Sequence, residues 1–102
     1  MIHVYDVGDT VRLQCSFSVA GTPTDPTTVE LWVKAPDGAV VKYAYGQGEI
    51  QKKAVGVYDR VIPITKPGDW YIRWAGGGAV VAAEEARLRA RVPAIEEALS
   101  GA

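Results

Sequence analysis

The stretch Gly68-Asp69-Trp70-Tyr71-Ile72-Arg73-Trp74 decides the fold of this chain. Large apolar side chains occupy every second position from Trp70 to Trp74, which is the two-residue period of a strand with one buried face. A turn sequence, Lys66 to Asp69, precedes the aromatic residues, and a glycine triplet, Gly76 to Gly78, follows and predicts a flexible loop. We therefore expect these side chains in the core: Trp70, Ile72 and Trp74.

Segments on both sides of this strand show the same two-residue period or a high content of β-branched and aromatic residues. Between them, Pro36-Asp37-Gly38 predicts the tight turn of a hairpin, and Gly21 to Pro26 predicts a loop because of its prolines and glycine. The stretch Glu49 to Ala54 fits either a short edge strand or a connecting loop. The predicted strands are Val11 to Val19, Thr28 to Lys34, Val40 to Tyr45, Gly56 to Ile64 and Glu85 to Val92.

Roughly six or seven short strands, with little helical pattern, predict an all-β fold, an antiparallel β-sandwich of the immunoglobulin or fibronectin type. A chain of 102 residues suits one compact domain, which we place at residues 1–92. Residues 93–102 predict a short C-terminal arm or helix, because Ile95 and Leu99 are four positions apart.

Overall charge and hydropathy exclude several kinds of partner. Eleven basic and twelve acidic residues give a net charge of -1, so no overall field favours nucleic acid or an anionic membrane. No stretch approaches the roughly 20 apolar residues that cross a bilayer. The N-terminus lacks the basic and apolar segments of a signal peptide, so we expect synthesis in the cytoplasm without one.

The sequence contains few residues suited to catalysis. We therefore predict a protein that is not an enzyme and has no cofactor or metal. His3 is the only histidine, and Cys15 falls on the apolar phase of its strand, where a core thiol is the expected state. The glycine triplet lacks the lysine and following helix of a phosphate-binding loop. Several aspartates occur beside turn-forming residues, where they stabilise turns: Asp6, Asp9, Asp25, Asp37 and Asp69.

Three groups of residues are candidates for binding a partner. Trp32 falls on the polar phase of its strand, so either it anchors a partner, or the C-terminal residues cover it, or a bulge changes its phase. Alternate arginines on the last strand could meet an acidic partner or solvate the sheet. The terminal segments, Ile2 to Tyr5 among them, are candidates for docking. The predicted partner-binding residues are Trp32, Arg87, Arg89, Arg91, Ile95 and Leu99.

Several turn and strand-start motifs occur together in an order that resembles a known protein family. The resemblance spans Tyr5 to Val92, and it is to the small immunoglobulin-like proteins encoded among the head and tail structural genes of tailed bacteriophages. The motifs are Tyr5-Asp6-Val7-Gly8-Asp9, Asp25-Pro26-Thr27-Thr28-Val29, Pro36-Asp37-Gly38, Gly56-Val57-Tyr58, Lys66-Pro67-Gly68-Asp69-Trp70-Tyr71-Ile72-Arg73-Trp74 and Ala82-Ala83-Glu84-Glu85.

This resemblance implies a non-enzymatic accessory protein of the virion, made in the host cytoplasm. Its expected role is capsid decoration through binding to the head lattice, with attachment to neck or tail proteins as the alternative. A different class of function also fits the sequence. In a carbohydrate-binding or adhesion module, exposed aromatic residues such as Trp32, Tyr43 and Tyr45 would stack on a glycan.

Overall fold

The computed structural model describes residues 2–78 and 80–92, so the predicted C-terminal arm at 93–102 lies outside the described residues. The described chain contains strands and turns, and its inner-facing residues follow the alternation seen in the sequence. The strands are β1 (Ile2–Asp6), β2 (Thr10–Ser16), β3 (Ser18–Val19), β4 (Thr22–Pro23), β5 (Thr28–Lys34), β6 (Val40–Ala44), β7 (Gln51–Ala54), β8 (Val57–Pro63), β9 (Gly68–Gly77) and β10 (Ala82–Arg91).

Two sheets form the sandwich. The larger has the order β1-β10-β9-β5-β6 and the smaller the order β2-β8-β7, while β3 and β4 pair as a two-residue ladder. This arrangement confirms the predicted immunoglobulin-like β-sandwich. One pair departs from the expected antiparallel pattern, because β1 runs parallel to β10, from Ile2 beside Arg87 to Asp6 beside Arg91.

The core lies between the two sheets. Trp70, Ile72 and Trp74 are buried, as predicted, and the indole nitrogen of Trp70 donates a 3.0 Å hydrogen bond to the carbonyl of Lys66. Leu31 on the neighbouring strand β5 is fully buried. The opposing sheet contributes every second residue of β2 and two residues of β8 to the same core, namely Val11, Leu13, Cys15, Tyr58 and Ile62.

The glycine triplet was expected to be a flexible loop, and this prediction is wrong for its first two residues. Gly76 and Gly77 belong to β9, where they pair with Val29 and Thr28 of β5. A Cβ atom on Gly76 would lie 2.8 Å from the ring of Phe17. Glycine is therefore needed here for close packing of a ring against the strand, and not for flexibility.

Several smaller differences separate the observed strands from the predicted ones. The first predicted strand ends at Ser16, so Val19 lies in β3 and is exposed, and part of the predicted loop at 21–26 forms β4. The undecided stretch at 49–54 contains the edge strand β7. Ala86 lies on the same phase of β10 as buried Leu88 and Ala90, but it is exposed.

Asp25, in the connection between β4 and β5, joins this loop to the smaller sheet. Its carboxylate accepts hydrogen bonds from the backbone N–H of Gly56 at 2.7 Å, from the hydroxyl of Tyr58 at 3.1 Å and from Nζ of Lys52 at 2.6 Å. The Lys52 hydrogen bond, followed by that of the Gly56 N–H, lowers the pKa of Asp25. Gly56 has φ +74, and a Cβ there would lie 2.4 Å from the carbonyl oxygen of Phe17. The turn before β8 therefore requires glycine.

The lowered pKa of Asp25 predicts a specific dependence of stability on pH. Because the folded pKa lies below the ordinary value of 3.8, the carboxylate stabilises the fold above that pH, and this stabilisation is lost as the pH falls through the folded pKa. Asp25→Asn should lower the urea midpoint near neutral pH and flatten its decline below about pH 4. Lys52→Met should reproduce part of the loss. Parallel pH profiles of the wild type and Asp25→Asn, measured by urea unfolding, would contradict this role.

Candidate interaction site

Trp32 lies on the outer face of the five-stranded sheet. On β5, the inner positions Leu31 and Val33 are buried, while Trp32 between them is half-buried. The pairing of β5 with both neighbouring strands runs without a register shift, so a bulge does not change the phase of Trp32. Nζ of Lys42, on the adjacent strand β6, lies 5.5 Å from the centroid of the indole ring. This cation–π contact covers part of the ring.

A shallow depression of about 470 Å³ lies beside Trp32. Its apolar side chains include Val40 of β6, which is 57% exposed, and Tyr71 of β9, which is 46% exposed. Three strands thus place an indole, a phenol and a branched aliphatic side chain around one hollow. We call this surface the Trp32 face, defined by its lining side chains Trp32, Lys34, Val40, Tyr71, Arg73 and Glu85.

Ion pairs between neighbouring strands surround the apolar part of the Trp32 face. Arg73 of β9 contacts Glu85 of β10 at 2.8 Å, and Lys42 pairs with Glu30. Arg73, Glu85 and Lys42 are well exposed and Glu30 is partly exposed, so each pair contributes little to stability, in the range of about 0–1 kcal/mol. Their effect on the surface is to neutralise most of its charge.

The predicted arginine row does lie on the outer face of β10, but it is not a row of free positive charge. Nε of Arg89 contacts Asp69 at 3.2 Å, and Nε of Arg91 contacts Asp6 at 2.8 Å. Within residues 2–78 and 80–92, Arg87 forms no ion pair. Arg87 thus differs from Arg89 and Arg91, because carboxylates on adjacent strands balance the charges of Arg89 and Arg91.

Tyr71 stands between two cations without carboxylate partners among the described residues. The register places Lys34 of β5 opposite Tyr71 on one side and Arg87 of β10 opposite it on the other. The Trp32 face therefore combines an aromatic centre with the positive charge of Lys34, and the positive charge of Arg87 lies next to Tyr71 at its border. An acidic group brought by a partner could reach either cation.

Sequence reasoning found Trp32 from its strand phase but missed Tyr71, Val40 and Lys34. All three fall on the outer phase of strands adjacent in the sheet, so the cross-strand register, added to the alternation, would have identified them. The other two predicted partner-binding residues, Ile95 and Leu99, lie outside the described residues. The N-terminal segment proposed for docking forms β1 within the same sheet.

Cys15 lies in the core, 4% exposed, with its thiol 3.7 Å from the carboxylate of Glu84. Burial, and then the negative charge of Glu84, raise the pKa of Cys15 from 9.0 to about 12. A thiol with this pKa is a poor nucleophile near neutral pH, because the thiolate is the reactive form.

The described part of the chain contains no group of three or more His, Cys, Asp or Glu residues placed to hold a metal ion. The predicted turn role is observed for Asp37, whose carboxylate accepts a 3.0 Å hydrogen bond from the N–H of Ala39. Over the same residues, no helix is long and apolar enough to span a bilayer.

The comparison with solved structures supports the fold, and none of the comparisons gives a family. The chain is similar to the crystal structure of the ZIG-8 IG1 homodimer, with a TM-score of 0.50 and 14% sequence identity over 90% of this chain and 79% of that chain. Identity this low shows a shared immunoglobulin-like fold and nothing finer. No protein-family model matches the chain, and no curated protein matches it significantly.

The environment of Cys15 predicts that its thiol is unreactive in the folded protein. Ellman's reagent at about pH 8 should modify Cys15 far more slowly than it modifies a free thiol, because little thiolate forms when the pKa is about 12. The same protein in guanidinium chloride should react completely and serves as the control. Modification of the folded protein at the rate of the unfolded one would contradict the buried placement.

Proposed function

We propose that this chain is a non-enzymatic binding domain that contacts another protein through the Trp32 face, and that it serves as an accessory protein of a tailed-phage virion. The observation that carries the binding role is the aromatic-lined hollow between Trp32 and Tyr71, with Lys34 and Arg87 beside it. The virion setting is supported by the resemblance of the turn and strand-start motifs between Tyr5 and Val92.

The composition of the Trp32 face supports a protein partner. Contact residues that contribute most of the binding energy are commonly Trp, Tyr and Arg at the centre of an interface, inside a rim that excludes water. Here Trp32 and Tyr71 occupy the centre, and exposed ion pairs such as Arg73–Glu85 form the rim. Trp32 is already held by Lys42 and its strand neighbours, so binding would cost little side-chain entropy.

The charge of the face favours an acidic partner. Lys34 of the Trp32 face and Arg87 beside it have no carboxylate partners among the described residues, and both are cross-strand neighbours of Tyr71. A carboxylate next to an apolar anchor would satisfy both features at once. The binding should therefore weaken as the salt concentration rises.

A repeated lattice would make a modest contact sufficient. A head lattice presents many copies of one surface, and several weak contacts held together bind far more tightly than one. Capsid decoration is accordingly the favoured role. Attachment at the neck or tail is the alternative and involves few copies.

The arrangement of the aromatic residues gives less support to glycan binding. Tyr43 pairs with buried Leu31 and has the guanidinium of Arg60 3.8 Å from its ring centroid, so it lies on the inner phase, opposite to Trp32. The Tyr45 ring lies edge-on to buried Tyr58, with centroids 5.2 Å apart. Trp32, Tyr43 and Tyr45 thus do not form one stacking platform.

The binding face can be tested on particles that lack this protein. Purified wild-type chain should re-bind such particles, and Trp32→Ala should weaken binding by about thirtyfold, since central tryptophans contribute roughly 2 kcal/mol or more. Val61→Ala is the matched control, because Val61 is an exposed apolar residue in β8 of the opposite sheet. The Lys34→Glu and Arg87→Glu double variant should also bind less and lose much of the salt dependence.

Each possible result has a clear meaning. Equal binding by Trp32→Ala and wild type would contradict the proposed face. Mass spectrometry and cryo-electron microscopy of purified particles then test the setting: hundreds of copies on the shell support decoration, and a few at one vertex support the neck or tail. Absence from the particles would contradict the virion role, and glycan binding lost in Trp32→Ala would favour the carbohydrate-binding module instead.

A further inference from the structure

One side of the sandwich is open along the first half of β10. Strand β9 pairs with β10 along residues 82–90, whereas β1 pairs with it over residues 87–91 alone. Within the described part of the chain, Ala82 to Ala86 therefore have a neighbouring strand on one side and none on the other. On the opposite sheet, β2 is also an edge strand, since its one ladder is with β8.

The inner-facing side chains of β10 change from buried to exposed at the point where the pairing of β10 with β1 ends. The inner-facing positions Leu88 and Ala90 are 4% and 5% exposed. Glu84 and Ala86 occupy the same phase but are exposed. Because side chains on one phase of a strand point to the same face, positions 84 and 86 point toward the space between the sheets without being covered there.

Between Ala82 and Ala86, the backbone of β10 is oriented to accept another strand. The carbonyl of Arg91 accepts a 2.8 Å hydrogen bond from the N–H of Val7, so Arg91 directs its backbone groups toward the β1 side. Backbone groups alternate in direction along a strand, and the β9–β10 register is continuous. Ala83 and Glu85 therefore direct their N–H and C=O groups toward the open side.

A groove of about 350 Å³ lies beside this edge, between β2 and β10. Its apolar wall includes Leu13, Ile72 and Trp74, and the indole nitrogen of Trp74 is buried without an acceptor among the described residues. The carboxylate of Glu84 also lines the groove and has no cationic partner among them. An occupant with apolar side chains and one positive charge would complement this wall.

We propose that an extended segment of a partner protein adds to the sheet as a strand beside Ala82 to Ala86. Its apolar side chains enter the groove, and a lysine or arginine between them reaches Glu84. Five strand residues span about 16 Å, and the added strand would lie about 4.8 Å from β10. This site uses the edge of the sheet, and it adjoins the Trp32 face at Glu85, whose side chain lines that face.

Two occupants from the same chain fit less well. A second copy paired through its own β10 would present Ala82, Glu84 and Ala86 to the groove, and a second carboxylate would face the first. The C-terminal sequence, if extended, would place Glu97 between Ile95 and Leu99 on one side, again bringing a carboxylate toward Glu84. Charge complementarity thus favours a foreign segment with a basic residue.

The test uses the full chain and a synthetic peptide, Thr-Val-Thr-Lys-Thr-Val-Thr, whose alternate side chains are valine, lysine and valine. In ¹H–¹⁵N correlation spectra, the peptide should shift the amide signals of residues 82–86 and of β2 near Leu13. A peptide with glutamate in place of the lysine should bind about tenfold more weakly. In Glu84→Gln this difference between the two peptides should disappear.

Ala83→Pro removes an N–H on the open side without touching the β9 pairing, and Ala83→Thr is its matched control because it keeps the N–H. The proline variant should lose at least about tenfold in affinity, and the threonine variant should bind normally. If Ala83→Pro fails to fold, Ala86→Phe, which fills the groove from an exposed position, should abolish binding instead.

Four results would overturn the proposal. These are the absence of peptide-induced shifts at millimolar peptide, shifts confined to the part of the Trp32 face on β5, β6 and β9, and normal binding by both Ala83→Pro and Ala86→Phe. The fourth is a different occupant of the edge. A dimer in sedimentation velocity that Ala83→Pro dissociates would assign the edge to a second copy, and tighter binding of a synthetic 93–102 peptide would assign it to the C-terminal segment.

Discussion

The position of β9 between β5 and β10 is the constraint on which the rest of the larger sheet depends. Its hydrogen-bonded ladders on both sides fix the register of the two neighbouring strands. Trp70, Ile72 and Trp74 must point inward, because their burial removes two indole rings and an isoleucine side chain from water. A slip of one residue would put Tyr71 and Arg73 into the core, so the same burial that stabilises the sandwich also decides which side chains its outer face presents.

Much of the fold could be predicted because alternation is a local signal. The inner phase of β2, β5 and β9 follows from every second residue being apolar, and Pro36-Asp37-Gly38 marks a turn whose geometry is local too. The parallel pairing of β1 with β10 could not be predicted in this way, since it joins residues more than eighty positions apart. Gly76 was misread for a related reason: its role depends on the ring of Phe17, which comes from a distant part of the chain.

The residues of the candidate site show the same contrast between local signals, which the sequence predicts, and contacts between distant strands, which it does not. The outward phase of Trp32 was visible in its own strand, whereas Tyr71 joins it only through the register between β5 and β9. For the arginines of β10, the sequence predicted the face on which they lie but not the residues that pair with them. Their shared face was predicted correctly, but the carboxylates that pair with Arg89 and Arg91 come from β9 and β1, so the sequence pattern overstated the positive charge of that face.

The parallel ladder between β1 and β10 determines how the fold responds to mechanical tension. Because the two strands run in the same direction, a pull on the chain before Ile2 and after Arg91 drags them past each other along their length. All rungs of the ladder then carry the force together in shear, whereas an antiparallel hairpin pulled from its two open ends breaks one rung at a time. The first resistance to stretching thus lies in five residues of β1, which the salt link between Asp6 and Arg91 ties to the last residue of β10.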